Sequence, residues 1–246
     1  MVELLARAKV TLSLRVTGVR PDGYHLIDAE MVTVDLCDRL EVSELPVGAP
    51  AELVVRGPEG LRPTDPGDLV LRALSRWGRS ASVRLDKRIP AGAGLGGGSA
   101  DAAAVLRWIG RDDPAALDLA DAAALGADVP FCVVGGRARV RGIGEQVEPL
   151  PHAETTLTLL TPPLHCSTPV VYRTWDELGG PTGEHGNDLE PAALAAYPEL
   201  AGYRDVLGES TGVEPRLAGS GSTWFVEGEH PGPGRVVVRT VASTGG

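Results

Sequence analysis

A glycine-rich segment carries the clearest chemistry in this sequence. Between Pro90 and Ser99, glycine occupies positions 92, 94, 96, 97 and 98, and an alanine-rich helical pattern begins at Ser99. Glycine lets a backbone approach a ligand closely and turn successive N–H groups toward it. A helix N-terminus adds free N–H donors and a partial positive charge. We therefore expect a phosphate-binding loop, with a simple surface turn as the alternative.

Three kinds of phosphate loop compete for this segment. A P-loop requires Gly-Lys-Ser/Thr at the helix start, and Gly98 occupies the lysine position. A Rossmann fold requires a strand ending in an acidic residue about 20 residues later, but residues 99–125 are helical and alanine-rich. The third kind is the loop of the GHMP kinase superfamily, written roughly P-x-x-x-G-L-G-S-S-A. The segment from Pro90 to Ala100 resembles this third loop.

Other chemistry-bearing residues lie far from this loop in sequence. Asp128 lies between a predicted helix end and a predicted strand that begins at Phe131. Its carboxylate could accept a hydroxyl proton or belong only to a helix-terminal turn. Lys9 lies on the polar face of a predicted strand and is one of only two lysines, the other being Lys87. From the residues alone, a solvated lysine is the simpler interpretation of Lys9.

An aromatic pair and a second glycine segment are two further candidates. Tyr24 and His25 follow a Pro-Asp-Gly turn in a chain with only ten aromatic residues. They could bind a ring or pack over the strand. The segment Gly219-Ser-Gly-Ser222 lies between two predicted strands. It could bring backbone N–H groups to the phosphate site or form a hairpin with a bulge.

The elements that must position these residues mix strands and helices without regular alternation, which predicts an α+β fold. Residues Lys9–Thr17 alternate between apolar and polar side chains, as in a half-buried strand with one polar face. The other predicted strands are Met31–Val34, Leu40–Val42, Glu52–Arg56, Ser82–Leu85, Phe131–Val134, Ala138–Arg141, Gln146–Leu150, Thr155–Leu160, Glu214–Ala218, Thr223–Val226 and Arg235–Val241. The predicted helices are Asp68–Trp77, Ser99–Ile109, Pro114–Leu125 with Asp113 as N-cap, Thr168–Leu178, and Asp188–Leu207 with a break at Pro198.

Composition limits the possible function classes. The 246 residues, 43% hydrophobic and 23% charged, are typical of one or two globular domains. A net charge of −10 argues against nucleic-acid or anionic-membrane partners. No apolar run is long enough to span a membrane, and the N-terminus lacks the shape of a signal peptide. The three cysteines are widely spaced, which suits a reducing compartment, so we expect a cytoplasmic protein.

Several segments together resemble one family of GHMP kinases. In chain order they are Ala8-Lys9-Val-Thr11-Leu, Arg20-Pro-Asp-Gly-Tyr24-His25, Gly96-Gly-Gly-Ser-Ala-Asp-Ala-Ala, Leu125-Gly-Ala-Asp128-Val-Pro-Phe131, Gly135-Gly-Arg-Ala, Arg141-Gly-Ile-Gly-Glu-Gln, Gly186-Asn-Asp-Leu-Glu190 and Ala218-Gly-Ser-Gly-Ser222. This set is similar to the 4-diphosphocytidyl-2-C-methyl-D-erythritol kinase family, over about residues 6–226.

The resemblance implies a fold and an activity. It implies a two-lobed α+β GHMP kinase fold, with a ribosomal-protein-S5-like N-terminal lobe over residues 1–152 and an α/β-sandwich C-terminal lobe over residues 153–246. The implied reaction moves the ATP γ-phosphate to the 2-hydroxyl of a cytidine-diphosphate substrate, 4-diphosphocytidyl-2-C-methyl-D-erythritol, in non-mevalonate isoprenoid precursor biosynthesis. Mg²⁺ is expected from the chemistry of ATP. Neither the metal ligands nor the oligomeric state can be predicted.

The resemblance also implies roles for individual residues. It makes Asp128 catalytic and places Lys9 beside it, where a cation would keep the carboxylate ionised and offset phosphate charge. The expected substrate-binding residues are Thr11, Tyr24, His25 and Tyr172, and the second phosphate loop is Gly219, Ser220 and Gly221. The expected ATP-binding residues are Pro90, Ala91, Gly92, Ala93, Gly94, Leu95, Gly96, Gly97, Gly98, Ser99 and Ala100.

The chain departs from the family pattern at a few positions. Thr11 stands where the family usually has asparagine, and a threonine is shorter and lacks the amide. Ala100 replaces a common second serine of the loop, which leaves Ser99 as the loop's hydroxyl. Both lobes are shortened, at Gly110–Pro114 and Gly179–Gly186.

Two other functions remain possible from the sequence. The first is another GHMP small-molecule kinase, acting on homoserine or a mevalonate derivative. The combination of Lys9 with Gly-Tyr24-His25 argues against it. The second is a nucleotide-binding protein of the same fold without catalytic activity, and the presence of both Lys9 and Asp128 argues against that alternative.

Overall fold

The computed structural model describes residues 1–57, 68–111 and 117–243. The strands are β1 (Val2–Val19), β2 (His25–Glu44), β3 (Glu52–Arg56), β4 (Ala81–Asp86), β5 (Arg137–Gly142), β6 (Gln146–Leu150), β7 (Thr156–Leu160), β8 (Arg216–Leu217), β9 (Trp224–Glu227) and β10 (Arg235–Arg239). The helices are α1 (Leu69–Arg76), α2 (Gly97–Gly110), α3 (Leu119–Ala123), α4 (Val129–Val134), α5 (Thr168–Glu177), α6 (Glu190–Ala196) and α7 (Leu200–Thr211). None of the helices in these ranges is long and apolar enough to cross a membrane.

The strands form two sheets, which confirms the predicted two-lobed α+β fold. The first sheet has the order β3-β4-β2-β5-β6, with β1 also paired to β2, and its strands lie between Val2 and Leu150. The second sheet has the order β10-β7-β9-β8, and its strands lie between Thr156 and Arg239. The predicted domain boundary after residue 152 falls between the two sheets and stays a prediction.

A shared hydrophobic cluster joins the two sheets. Val10 of β1 and Val34 of β2 pack with Leu157 and Leu159 of β7 and Phe225 of β9, and all five are fully buried. An isolated bridge also pairs Val34 with Thr240. Burial of apolar surface is the main stabilising contribution to such a contact. The contact therefore fixes β1 between its own sheet and the second lobe.

The first strand is longer and more buried than its sequence pattern predicts. β1 has 18 residues and pairs antiparallel with β2 over nearly its whole length, with register shifts near Arg7, Thr11 and Val16. On its polar face, Lys9 and Thr11 are only 5% and 2% exposed, whereas Arg15 and Thr17 are exposed. The prediction of a half-buried strand is therefore wrong at Lys9 and Thr11, because segments distant in sequence cover the polar face there.

The predicted strand Phe131–Val134 is wrong, because these residues form helix α4. A short apolar run bounded by turn residues does not distinguish a buried strand from a buried helix. Pro130 lies in the first helical turn, where its missing N–H costs little, and the N–H of Cys132 donates to the Asp128 carbonyl at 3.1 Å. Asp128 therefore lies at the N-terminus of a helix.

Other element boundaries differ less from prediction. The predicted N-cap Asp113 and helix start Pro114 lie outside the described residues; α3 begins at Leu119, after the N-cap Asp118. The predicted strand Glu214–Ala218 is reduced to the two residues of β8. The break at Pro198 is confirmed, since it separates α6 from α7.

A buried ionic cluster lies beneath the glycine-rich segment. The Lys87 ammonium contacts the carboxylates of Asp38 and Asp101, the latter at 2.7 Å, and all three residues are at most 4% exposed. Asp38 also accepts the backbone N–H of Ile89 at 2.8 Å. The cluster ties β2 and β4 to α2, and so fixes the segment that connects β4 to α2.

The two carboxylates of this cluster are not equivalent. Burial raises the pKa of Asp101 to about 8, and the Asp38 carboxylate acts in the same direction against the attraction of Lys87. Burial lowers the pKa of the Lys87 ammonium, but Asp101 and Asp38 outweigh that effect and raise it above its usual value. The cluster at neutral pH therefore contains a charged Lys87 and a protonated Asp101.

We expect Asp101→Asn to change the free energy of unfolding at pH 7 by less than about 1 kcal/mol, since the amide replaces a neutral acid of the same shape. Lys87→Met should cost about 3–5 kcal/mol, because it leaves a buried charge unpaired. Native Asp101 keeps its proton up to about pH 8, whereas the unfolded chain releases it near pH 4. Wild-type stability should therefore fall relative to Asp101→Asn as pH rises between these values.

Urea unfolding from pH 4 to 8 measures both effects, and Arg84→Met on the exposed face of β4 serves as the control. Equal losses in Asp101→Asn and Lys87→Met at pH 7 would contradict the assignment of a protonated Asp101.

Candidate active site

The glycine-rich segment is a tight loop that leads into helix α2, which begins at Gly97. Gly92, Gly94 and Gly96 have φ values of 69°, 76° and 68°, a left-handed region that favours glycine. Gly97 and Gly98 are already helical, and Gly98 is exposed with only a Leu69 side-chain atom within 4 Å of where a Cβ would lie. The α2 N-terminus therefore faces open space, as phosphate binding requires.

The eleven residues expected to bind ATP do not all face this space. The side chains of Ala93, Leu95 and Ala100 are at most 2% exposed and pack into the protein. ATP could contact only the backbone at these positions. Gly98 and Ser99, by contrast, lie at the accessible start of α2. The loop thus offers mainly N–H groups and one hydroxyl to a ligand.

The second glycine segment packs directly against the first. A Cβ on Gly94 would lie 2.6 Å from the Gly221 carbonyl oxygen and 2.7 Å from that of Ala218. The Thr223 N–H donates to the Ala93 carbonyl at 3.2 Å. Gly219, Ser220 and Gly221 lie in the connection between β8 and β9. The two segments, more than 120 residues apart in sequence, form one surface that contains residues of both lobes.

Lys9 and Asp128 meet beside this surface. The Lys9 ammonium is 3.2 Å from the Asp128 carboxylate and donates to the Thr11 hydroxyl at 3.2 Å. The Lys9 backbone N–H donates to the Leu95 carbonyl at 3.0 Å, and the side-chain stem passes under Gly96, where a Cβ would lie 2.8 Å from Lys9 Cγ. Lys9 is therefore held by the glycine loop itself.

Asp128 is positioned for contact with a ligand. It occupies the N-cap position of α4, but its side chain accepts no capping hydrogen bond from that helix. Its carboxylate is about one-third exposed, whereas the Lys9 side chain is 6% exposed. One side of the carboxylate thus faces a buried cation, and the other side remains accessible to a substrate hydroxyl.

Asn187 is a site residue to which the sequence analysis gave no role. It is 2% exposed, and its amide nitrogen donates to the carbonyls of Leu217 at 2.9 Å and Gly219 at 2.7 Å. The carboxylate of the next residue, Asp188, accepts hydrogen bonds from the Arg15 guanidinium at 2.6 Å and from the Val16 backbone N–H at 3.0 Å. These two residues fix the second glycine segment relative to β1. The sequence signal that could have identified these two residues is the run Gly186-Asn-Asp.

The predicted base-binding residues lie at one place, in an arrangement that differs from expectation. The rings of His25 and Tyr172 stack in direct contact, 4.6 Å between centroids, and Trp175 contacts His25 edge-on at 5.6 Å. His25 Nε2 lies 2.8 Å from the Asp176 carboxylate. A base between two rings needs about 7 Å, twice a stacking contact. The predicted placement of Tyr172 across a base from His25 requires these rings to separate.

Tyr24 differs from its neighbour in being open to solvent. It is 58% exposed and contacts the Arg20 guanidinium, 5.9 Å from its ring centroid. Its ring is therefore free to stack on a ligand without displacing any packed side chain. Trp175 and Asp176 also contact His25. Sequence reasoning assigned them no role, because only the packing of α5 against β2 brings them to His25.

The comparisons with known proteins agree with this fold. A family model described as the GHMP kinases N terminal domain matches residues 68–136. A crystal structure of 4-(cytidine 5'-diphospho)-2C-methyl-D-erythritol kinase is 32% identical, with a TM-score of 0.76, over 99% of this chain and all of its own. The homoserine kinase from Cytophaga hutchinsonii, 16% identical with a TM-score of 0.58, shares the fold alone. The fold and the glycine loop define a GHMP kinase, a class of ATP-dependent phosphotransferases.

A curated relative identifies the family within this class. The 4-diphosphocytidyl-2-C-methyl-D-erythritol kinase of Cereibacter sphaeroides (strain ATCC 17029 / ATH 2.4.9) is 40% identical over 257 residues, which cover 92% of this chain and 88% of the relative. The chain belongs to the 4-diphosphocytidyl-2-C-methyl-D-erythritol kinase family. The resemblance inferred from the sequence motifs is thereby confirmed.

Two glycine substitutions should separate the structural and ligand-binding parts of the loop. Gly94→Ala forces a Cβ against two carbonyl oxygens at positive φ, and we expect it to cost about 1–3 kcal/mol of stability. Gly98→Ala meets no clash and replaces a helical glycine, so the fold should gain up to about 1 kcal/mol. The methyl group that this substitution adds should nevertheless hinder the approach of phosphate to the helix N-terminus. We therefore expect Gly98→Ala to raise the KM for ATP by about tenfold, or about 1.4 kcal/mol.

Thermal unfolding and steady-state kinetics of both variants test this separation. An unchanged KM for ATP in Gly98→Ala would contradict phosphate binding at the start of α2.

Proposed function

We propose that this protein transfers the γ-phosphate of ATP to the 2-hydroxyl of 4-diphosphocytidyl-2-C-methyl-D-erythritol. The bond between the β–γ bridging oxygen and the γ-phosphorus breaks, and a new bond joins the substrate oxygen to that phosphorus. The substrate hydroxyl loses its proton, and ADP leaves. The observation that carries the proposal is the meeting of Lys9, Asp128 and two glycine segments at one place in a member of this family.

The phosphates of ATP are assigned to the α2 N-terminus and the loop before it. Free N–H groups at a helix start favour anions, and no side chain of the described residues occupies the space beside Gly98 closer than 3.8 Å. The Ser99 hydroxyl adds one further donor. The second glycine segment closes the opposite wall, as the packing of Gly94 on Gly221 indicates. This arrangement supports transfer at the boundary between the two sheets.

Asp128 and Lys9 have complementary roles in the transfer. Phosphoryl transfer depends mainly on positioning and charge neutralisation, with a base for the attacking hydroxyl. The accessible face of the Asp128 carboxylate accepts the hydroxyl proton. The Lys9 ammonium, held on the other side at 3.2 Å, orients this carboxylate and offsets negative charge on the transferring group. Both groups are supplied by backbone segments that packing holds rigid.

Mg²⁺ fits this site as a companion of ATP. In kinases it is held by substrate phosphates with one or two protein oxygens, and it neutralises charge between the β- and γ-phosphates. Within the described ranges, no group of three His, Cys, Asp or Glu side chains could hold a metal ion. The oxygens near the loop that could contribute are the Ser99 hydroxyl and the Asp128 carboxylate.

Thr11 is explained by its contact with Lys9. Its hydroxyl accepts from the Lys9 ammonium at 3.2 Å, and it lies 3.6 Å from where a Cβ on Gly219 would be. A threonine here therefore supports the catalytic lysine and lies against the second glycine segment at Gly219.

The decisive experiment is an ADP-release assay with 4-diphosphocytidyl-2-C-methyl-D-erythritol, homoserine and mevalonate as separate substrates. The proposal predicts turnover of the cytidylated substrate alone, with ³¹P and ¹³C NMR showing the phosphate on the 2-hydroxyl. Asp128→Asn is the matched control and should lose about 10²–10⁴ in kcat while still binding ATP. Turnover of homoserine or mevalonate would support another GHMP kinase. ATP binding without any turnover would support the non-catalytic alternative.

Base binding should be separable from folding at the aromatic cluster. Tyr24→Ala removes an exposed ring, so we expect an unchanged melting temperature and a KM for the cytidylated substrate raised about 5- to 150-fold, or 1–3 kcal/mol. His25→Ala should raise the same KM and also lower the melting temperature, since His25 packs on Tyr172 and Trp175.

The KM for ATP is the internal control in both variants and should change less than twofold. A KM for the cytidylated substrate that stays at the wild-type value in Tyr24→Ala would remove Tyr24 from the base site.

A further inference from the structure

A cavity lies between β1, α2 and α4, and no glycine of the two glycine segments lines it. It has a volume of about 370 Å³ and is enclosed by the start of β1, one face of α2 and the end of α4. Ala100 and Ala104 of α2 and Cys132 and Val133 of α4 form part of its wall. Neither Lys9 nor Asp128 lines it. Its volume falls in the range of small-molecule sites, about 300–1,000 Å³.

Three arginines line this cavity in a chain whose net charge is −10. The Arg7 side chain makes no hydrogen bond or ion pair with the described part of the chain. Arg107 donates to the backbone carbonyls of Leu5, at 3.2 Å, and Cys132, and forms no ion pair with a described carboxylate. The Arg111 guanidinium lies 3.5 Å from the Glu44 carboxylate. Two of the three guanidinium groups thus lack an acidic partner among the described residues.

The charges of Arg7 and Arg107 act on each other. Burial lowers the pKa of the Arg107 guanidinium, Cys132 opposes that effect, and the charge of Arg7 lowers the pKa further. The one acidic residue of the lining, Glu3, lies 3.7 Å from Arg39, which is outside the cavity. Arg7 and Arg107 repel each other and lack an ion-pair partner among the described residues, and a bound anion would relieve that repulsion.

We propose that this cavity is a binding site for a small organic phosphate with an apolar body. Guanidinium groups bind phosphate oxygens through paired, charge-assisted hydrogen bonds. Leu5, Ala104, Trp108 and Val133 supply apolar surface in the same lining, which matches an aliphatic group better than a second charge. The lining therefore combines guanidinium groups with apolar side chains.

The position of the cavity connects it to the proposed reaction. One wall is α4, whose N-cap residue is Asp128, and another is α2, whose N-terminus is the proposed site of the ATP phosphates. A ligand that contacts both helices can alter their relative position, and binding and catalysis then influence each other through linkage. The binding step itself does not depend on the proposed function.

Calorimetric titration of the full-length protein with n-butyl phosphate tests the proposal, with a saturating non-hydrolysable ATP analogue present to block the active site. We expect one site per chain with a Kd below 1 mM, or about −4 kcal/mol. Arg7→Met should weaken binding at least tenfold, and the control Arg84→Met on β4 should leave it unchanged. Inorganic phosphate should bind at least tenfold more weakly than butyl phosphate.

Several results would overturn the proposal. They are absence of binding at 10-fold higher concentration than the expected Kd and equal affinity in wild type and Arg7→Met. Equal affinity for inorganic and butyl phosphate would overturn the apolar half of the site. Because Arg7 carries no structural hydrogen bond in the described residues, unchanged melting of Arg7→Met serves as the folding control.

Discussion

The ammonium group of Lys9 lies 3.2 Å from the Asp128 carboxylate, and the rest of the architecture depends on holding these two groups together. Lys9 comes from a long strand and Asp128 from the start of a short helix, 119 positions apart in the sequence. The lysine is almost fully buried, so its charge must be compensated. Asp128 supplies the opposite charge, the Thr11 hydroxyl accepts a hydrogen bond, and the glycine loop encloses the stem.

A second buried lysine, Lys87, supports the glycine loop that encloses Lys9. Lys87 joins β4 to β2 and α2 through Asp38 and Asp101, and a Cβ on Gly97 would lie 3.2 Å from its ammonium. The only two lysines of the chain therefore lie against adjacent glycines of the same loop, Lys9 at the proposed reaction centre and Lys87 in the core. On the second lobe, Asn187 holds the other glycine segment through two carbonyls. Each wall of the site thus has its own buried polar anchor.

The sequence predicts the loop, the fold class and the family because these depend on local patterns and on motifs. It does not predict that both faces of β1 are buried at Lys9 and Thr11, because the covering segments lie more than 80 residues away. It misassigns Phe131–Val134 because a short apolar run fits a strand or a helix equally well. The stacking of His25 on Tyr172, and the presence of Trp175 and Asp176 beside them, result from tertiary packing that no local signal contains.

The central claim is that Lys9 and Asp128 act as one unit, and a double-mutant cycle in kcat measures this most directly. The cycle compares wild type, Lys9→Met, Asp128→Asn and the double variant with the cytidylated substrate, after unfolding curves establish that each is folded. Groups that act together are strongly non-additive, so the double variant should lose no more than about threefold beyond the more severe single variant, or 0.7 kcal/mol. Losses that multiply would show that the two residues act independently and would contradict the account.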